Sequence, residues 1–174
     1  MAPGSKDLVE LKARYEDLGK ARALLEGSQR LDAIRQVDTY FSLGARRLKL
    51  RTVTGKPEGQ LIYYERPDEG GVKASRVLLA SVPDAAAVRA ILTKVLPPKA
   101  EVRKTREVYM LQGVQVHLDT VEGLGRFIEF EKVLSGHETE EASRAQLQSL
   151  KTYFQIPDED LMASSYSDLL ERER

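Results

Sequence analysis

The sequence predicts an α+β fold in which eight mostly antiparallel strands form a curled or closed barrel with helices packed outside. Two observations predict it. Segments along most of the chain alternate apolar and polar residues with a period of two, as strands with one buried face do. Tight connections at 111–113 and 122–123 contain Gly113 and Gly123, which favours antiparallel hairpins. In such a barrel the outer faces should be apolar beneath the helices, and the inner faces are free to be polar.

The N-terminal half of the chain supplies five strand segments and two helices. Residues 1–6 are expected to be a disordered lead-in to a single domain of residues 7–174. Residues 8–14 alternate as the first strand, and Asp17 caps a helix that ends at Gly27. A second helix begins at Pro83-Asp84 and stops at Pro97-Pro98. The other strands of this half are expected at 36–42, 46–54, 60–66 and 72–82.

The C-terminal half supplies three further strands and two helices. The strands are expected at 100–109, 114–121 and 124–133, and the helices at 138–154 and 158–170. By composition, the last helix is an ordinary packing helix. No internal repeat, low-complexity tract or long linker divides the 174 residues, a length typical of one domain.

The composition excludes several classes of site. Lys and Arg together number 27, as do Asp and Glu, so the formal net charge is zero. This balance argues against a duplex nucleic-acid binder that relies on a global basic field. The absence of cysteine excludes disulfides and Cys-ligated zinc. With two histidines a His-rich metal site is not expected, and a carboxylate site would favour Mg²⁺, Mn²⁺ or Ca²⁺.

The sequence gives no sign of a membrane span or a secretion signal. No apolar run approaches the roughly 18 residues that a transmembrane helix needs. The first six residues, Met-Ala-Pro-Gly-Ser-Lys, contain no hydrophobic signal region. We therefore expect a soluble, cytoplasmic protein.

Charged residues share one face of most predicted strands. In the third strand, Arg47, Lys49 and Arg51 alternate with Leu48 and Leu50. Taken alone, such a strand is more typical of a solvated sheet face than of a binding site. The pattern recurs, however, in the other strands, whose charged or polar faces carry Glu10, Lys12 and Arg14; Tyr64 and Arg66; Lys73 and Ser75; Lys104 and Arg106; His117 and Asp119; and Glu129 and Glu131.

These faces require an explanation if they point into one barrel. Burying so many like charges without a ligand costs more than folding provides. A polyphosphate with a divalent metal removes the difficulty, because Arg and Lys neutralise phosphoryl oxygens and clustered carboxylates hold the metal. The alternative is an open sheet with a solvated charged face. We expect His117 to be a surface residue or to support a ligand rather than to be one.

Several segments resemble a known family. Residues 9–14 resemble the signature strand of the CYTH domain, the triphosphate tunnel metalloenzymes, and within that superfamily the chain looks most like the class IV adenylyl cyclase-like branch. The match is ordered and covers about residues 8–170. Its further supporting segments are 36–41, 47–51, 61–67, 104–106, 117–119, 124–131 and 165–170.

The resemblance implies an eight-stranded antiparallel tunnel that binds the triphosphate of a nucleotide such as ATP, or inorganic triphosphate, with Mg²⁺ or Mn²⁺. It implies that Glu10, Asp119, Glu129 and Glu131 hold metal, and that Glu10, Lys12, Glu129 and Glu131 are catalytic. The substrate-binding residues that it implies are Lys12, Arg14, Arg47, Lys49, Arg51, Arg66, Lys73, Ser75, Lys104 and Arg106.

The chain departs from the family pattern at one position. The signature Glu-x-Glu-x-Lys begins here with Leu8, so one carboxylate is missing, and Asp7 has the wrong parity to replace it. An enzyme is expected, either a triphosphatase or a cyclase that converts ATP to cyclic AMP and pyrophosphate. A nucleotide- or polyphosphate-binding module without turnover is the alternative, and a domain with solvent-exposed charged faces is a third. The oligomeric state stays open, with a homodimer among the options.

Overall fold

A computed structural model describes residues 4–44, 46–65, 71–134, 136 and 138–172 of the chain. Eight antiparallel strands form a closed barrel, which confirms the predicted fold class. The order around the barrel is β1-β5-β4-β3-β2-β6-β7-β8. In chain order the strands are β1 (Gly4–Arg14), β2 (Gln29–Leu43), β3 (Arg46–Val53), β4 (Gly59–Glu65), β5 (Lys73–Val82), β6 (Pro98–Leu111), β7 (Val114–Val121) and β8 (Gly125–Val133).

Four α-helices accompany the barrel in the described part of the chain. Asp17, Asp84 and Thr139 cap the first three of them, each accepting a hydrogen bond from a backbone N–H three residues further on. The helices are α1 (Leu18–Leu24), α2 (Ala85–Val95), α3 (Glu140–Tyr153) and α4 (Tyr166–Arg172). Among the described residues, no helix combines the length and the apolar character that crossing a bilayer requires.

Two strands begin several residues before the positions that the sequence indicated. β1 starts at Gly4, which pairs with Leu79 of β5, so residues 4–6 of the expected lead-in are strand and residues 1–3 lie outside the described residues. β2 starts at Gln29, which pairs with Met110 of β6. The first half of β2 is exposed on both faces, so the alternation that marks a half-buried strand is absent there.

The prediction of one helix at 158–170 is wrong. The segment contains a 3-10 turn at Asp158–Asp160, an extended stretch, and then α4. β5 pairs with β1 only as far as Glu10, so the backbone beyond it needs other partners. Leu161 forms a bridge with Ala13, and the Met162 N–H donates to the Lys12 carbonyl at 2.8 Å. These contacts hold the segment extended.

The main hydrophobic core lies outside the barrel, between β1, β7, β8 and the helices. Val9 and Leu11 on the outer face of β1 are fully buried against Leu147 of α3 and Phe154. A smaller core packs α2 against β3, through Ala85 and Leu50. The helices therefore bury the apolar outer faces, and the polar faces of the strands point inward.

Candidate functional site

The inner faces of the strands surround a cavity of about 290 Å³, which we call the tunnel. The charged residues are buried there: Lys104, Arg106 and Glu129 are each 6% exposed. The alternative of an open sheet with a solvated charged face is therefore wrong. The residues of the sequence-predicted site that line the tunnel are Glu10, Lys12, Lys49, Arg51, Ser75, Lys104, Arg106, Glu129 and Glu131.

Asp119 is the centre of one buried ionic cluster. Arg106 donates to both of its oxygens, at 2.7 and 2.6 Å, and Lys104 Nζ lies 3.1 Å from Oδ2. The Tyr166 hydroxyl also donates to Oδ2, at 3.0 Å. Burial alone would raise the pKa of Asp119, but the charges of Arg106 and Lys104 outweigh it and hold the pKa well below its usual range. Burial, followed by the charge of Arg106, lowers the pKa of Lys104 to about 7.

Asp38 is the centre of a second ionic cluster, which the sequence reasoning missed. Its carboxylate accepts hydrogen bonds from Lys49 at 2.8 Å and from Arg51 at 2.9 and 3.1 Å, and Gln36 donates to it at 3.0 Å. Burial opposes ionisation, yet the charges of Arg51 and Lys49 keep the pKa of Asp38 well below its usual range. The sequence does contain a signal for this cluster. Gln36, Asp38 and Tyr40 alternate along β2, so their side chains point to the same face of the strand.

A carboxylate–histidine cluster lies on the wall formed by β7 and β8. His117, Glu129 and Glu131 bring ligand atoms within 4.8 Å of one another, and they are the one such group of three or more in the described part of the chain. Arg106 donates to Glu129 Oε2 at 2.7 Å, and Lys6 donates to Glu131 Oε1 at 2.9 Å. Burial would raise the pKa of Glu129, but Lys12 and Arg106 lower it well below its usual range.

His117 is therefore not a surface residue. It is 3% exposed and lines the tunnel, and the buried atom Nδ1 has no hydrogen-bond partner. Burial and the charge of Arg106 lower the pKa of His117, which favours the neutral imidazole. Two predicted metal ligands are not members of this carboxylate–histidine cluster. Glu10 is paired with Glu131 between β1 and β8, and Asp119 is bound by Arg106 in the first ionic cluster.

Three other predicted site residues that the structure describes do not line the tunnel. Arg14 donates to the Leu124 carbonyl at 3.2 Å, and Arg47 pairs with Asp168 at 3.3 Å. Lys73 donates to the carbonyls of residues 162 and 163, at 2.8 and 2.6 Å. Arg66 lies outside the described residues.

Leu8 lines the tunnel within an apolar patch. The patch combines Leu8, Ile62, Val77 and Leu79 from β1, β4 and β5. Asp7 lies on the opposite face of β1, where its carboxylate accepts a hydrogen bond from Arg76, so it does not replace the missing carboxylate. One wall of the tunnel is therefore apolar, and parity was the available signal, because Leu8 shares a strand face with Glu10 and Ile62 shares one with Tyr64.

Helix α4 contributes to the site as well as to packing. Tyr166 at its start lines the tunnel, with Lys12 Nζ 4.2 Å and Lys104 Nζ 5.0 Å from the centre of its ring. Ser165 and Asp168 cap the helix reciprocally, with the Ser165 N–H donating to Asp168 at 3.1 Å. The helix therefore packs as expected, through Leu169 and Leu170, and it also supplies Tyr166 to the tunnel, which its composition did not indicate.

Comparisons with known proteins agree with this architecture. Residues 8–166 match the family model described as the CYTH domain. The Methanocaldococcus jannaschii protein named "Putative adenylate cyclase MJ0240" is 26% identical over 176 residues, covering 92% of this chain and 97% of the relative.

Solved structures share the fold. The PH1012 protein from Pyrococcus horikoshii OT3 has a TM-score of 0.83 at 21% identity, covering 93% of this chain and 98% of the other. The Hippeastrum protein "Putative adenylyl cyclase HpAC1", described with a dominant triphosphatase activity, has a TM-score of 0.66 at 17% identity and covers 96% of each chain. Because the family model matches most of its length, the chain belongs to the CYTH domain family.

Proposed function

We propose that the protein processes a triphosphate in its tunnel with the help of a divalent metal ion. The observation that carries the proposal is that Lys12, Lys49, Arg51, Lys104 and Arg106 converge on one cavity that also contains a carboxylate cluster. Cations in this number suit a chain of phosphoryl groups better than a singly charged ligand. A cavity of about 290 Å³ lies at the lower end of the range for small-molecule sites.

The cationic side chains would bind and orient the phosphates. Arg51 and Arg106 are each fixed in direction by a bidentate contact to a buried aspartate. Lys12 lies between Glu129, at 3.8 Å, and the ring of Tyr166. Such preorganised cations stabilise the negative charge that develops on phosphoryl oxygens during transfer.

The carboxylates present fit a divalent metal. Glu129 is ionised at neutral pH, and Glu10 and Glu131 face each other on the same side of the tunnel. The buried and unpartnered Nδ1 of His117 beside them is explained if a cation occupies this position. Mg²⁺ or Mn²⁺ bound there would polarise phosphoryl oxygens and neutralise their charge.

Hydrolysis and cyclisation make different demands on the tunnel. Hydrolysis needs a water directed at a phosphorus atom, whereas cyclisation also needs a nucleoside held with its 3′-hydroxyl in line with the α-phosphate. The apolar patch of Leu8, Ile62, Val77 and Leu79 is a surface on which an organic group of the substrate could pack. The activity named for the Hippeastrum protein makes triphosphate hydrolysis the first reaction to test.

The test is to incubate the protein with ATP and with inorganic triphosphate in the presence of Mn²⁺ and to resolve the products. Phosphate release indicates hydrolysis, and cyclic AMP with pyrophosphate indicates cyclisation. Lys12→Met should abolish either reaction, and Lys20→Met at an exposed position of α1 is the matched control. If neither substrate is consumed, the enzymatic function is refuted.

A second candidate function is capture of a triphosphate without turnover, which the apolar side chain of Leu8 favours. In that case inorganic triphosphate raises the melting temperature while no product accumulates. Leu8→Glu restores the carboxylate of the signature, and Leu8→Gln controls for the change in shape and polarity. Activity gained by the Glu variant alone would identify the missing carboxylate as the defect.

A further inference from the structure

We infer that His117 is a direct ligand of the metal site, which makes the site a mixed imidazole–carboxylate centre that prefers Mn²⁺ to Mg²⁺. The inference rests on the proposed function, because it concerns the metal ion that would assist the triphosphate reaction. It assigns to the site a residue that the sequence reasoning had left outside the ligand set.

The hairpin of β7 and β8 brings the three ligands together. His117 is paired with Glu129 in the register, and Gln115 is paired with Glu131. Directly paired residues of an antiparallel sheet project their side chains to the same face at close range. The imidazole and both carboxylates therefore converge on one point of the tunnel wall, within 4.8 Å of one another.

A hydrogen bond selects the tautomer of His117. Its Nε2 lies 3.2 Å from the Gln115 side-chain carbonyl oxygen. With the Gln115 amide in this orientation its oxygen accepts, so Nε2 carries the hydrogen and Nδ1 presents a lone pair. A metal-binding histidine is commonly oriented in this way, by a hydrogen bond from its second ring nitrogen.

The lone pair of Nδ1 has no partner among the described residues. Nδ1 is buried without a hydrogen bond, and Glu129 Oε2 lies 3.8 Å away. A neutral imidazole nitrogen and a carboxylate oxygen are both acceptors, so their approach is unfavourable unless a cation lies between them. A divalent metal bound by Nδ1, Glu129 and Glu131 gives the Nδ1 lone pair a partner and joins Arg106 and Lys6, which already donate to the two carboxylates.

The ligand set determines which metal is preferred. Mg²⁺, Ca²⁺ and Mn²⁺ all prefer oxygen ligands, but Mn²⁺ is a first-row transition metal and accepts an imidazole nitrogen more readily than the other two. Leu8 removes one oxygen ligand from the signature strand, and His117 adds a nitrogen ligand from β7. The affinity for Mn²⁺ should therefore exceed that for Mg²⁺, and replacing His117 should reduce the difference.

The test uses the whole protein with Mn²⁺ as the probe, both alone and with inorganic triphosphate, which contains no nitrogen. Electron paramagnetic resonance measures free and bound Mn²⁺ during a titration, and competition with Mg²⁺ gives the selectivity. Electron spin-echo envelope modulation of the bound Mn²⁺ detects a coordinated nitrogen. His117→Gln is compared with His137→Gln at the other histidine of the chain.

We expect nitrogen modulation in the unmodified protein and in His137→Gln, and its loss in His117→Gln together with a fall in Mn²⁺ affinity of roughly tenfold or more. The inference is overturned if the modulation persists in His117→Gln, or if the unmodified protein binds Mn²⁺ without nitrogen coupling. It is also overturned if the unmodified protein binds no Mn²⁺, either alone or with inorganic triphosphate. Turnover without nitrogen coupling refutes only this inference. Nitrogen-coupled Mn²⁺ in a protein that consumes no triphosphate refutes only the proposed turnover.

Discussion

Replacing Asp38 by asparagine tests whether the buried aspartates act as internal counter-ions for the phosphate-binding cations. Asp38 is 1% exposed, and its carboxylate contacts Lys49 at 2.8 Å and Arg51 at 2.9 Å. Asp38→Asn preserves the size of the side chain and removes its charge. The two cations then remain in the tunnel without their counter-ion.

The expected loss of stability follows from the burial of the cluster. Removing one partner of a buried ion pair costs about 3–5 kcal/mol, because the other charge stays buried and unpaired. The side chains of Lys49 and Arg51 are 11% and 23% exposed, so water screens part of this cost. We therefore expect Asp38→Asn to lower the free energy of unfolding by about 2–4 kcal/mol. For a chain of this size, that loss corresponds to a melting temperature lower by about 4–16 °C.

The assay is thermal unfolding, followed by circular dichroism, with and without inorganic triphosphate. Phosphoryl oxygens should replace the lost carboxylate at Lys49 and Arg51, so the ligand should raise the melting temperature more in Asp38→Asn than in the unmodified protein. Asp32→Asn, at an exposed position of the same strand, is the control and should change stability by less than about 0.5 kcal/mol. An unchanged melting temperature in Asp38→Asn, or a smaller ligand effect than in the unmodified protein, would refute the reasoning.

Two further predictions concern the Asp119 cluster. The pKa of Lys104 is about 7, so at about pH 8.5 the amine is mostly neutral, and a bound triphosphate should raise the pKa and cause proton uptake. The heat of triphosphate binding, measured by calorimetry, should then differ between two buffers of unequal ionisation enthalpy. This difference should be smaller in Lys104→Gln, and equal heats in the two buffers for the unmodified protein would contradict the prediction. Tyr166→Phe removes the hydrogen bond to Asp119 and should lower the free energy of unfolding in urea by about 1.5–3 kcal/mol. Tyr153→Phe, which loses an exposed bond to a neutral carbonyl, should cost less, and equal losses would contradict the prediction.

The alternation of residues predicted which side chains point into the barrel, because the parity of a strand is a local property. Lys49, Arg106 and Glu129 were recognised in this way. The pairing of side chains depends on strand register, which is set by hairpins and by the closure of the barrel. Asp38 meets Arg51, and His117 meets Glu129, through such registers, so their roles could not be predicted from spacing alone.

The contribution of α4 was harder to predict. Tyr166 is distant in sequence from every strand, and it reaches Asp119 only because the preceding segment is fixed to β1 at Ala13 and Lys12. Its apolar ring and its hydroxyl are used at once, the ring beside the Lys12 ammonium and the hydroxyl on the carboxylate of Asp119. A sequence pattern can place a helical residue on a packing face, but it does not show that the hydroxyl of the same residue binds a carboxylate.

The charge balance within the tunnel explains how a chain with zero net charge can present a basic site. Each buried aspartate is matched by an arginine and a lysine: Asp38 by Arg51 and Lys49, and Asp119 by Arg106 and Lys104. When all of these groups are ionised, the Asp38 cluster has one excess positive charge, and the excess charge of the Asp119 cluster is shared with Glu129, to which Arg106 also donates. The aspartates therefore limit the cost of burying the cations before a ligand binds, and the excess remains for the ligand. A polyphosphate can add to both clusters without displacing either aspartate, and its binding should then become stronger when Asp38 is neutralised.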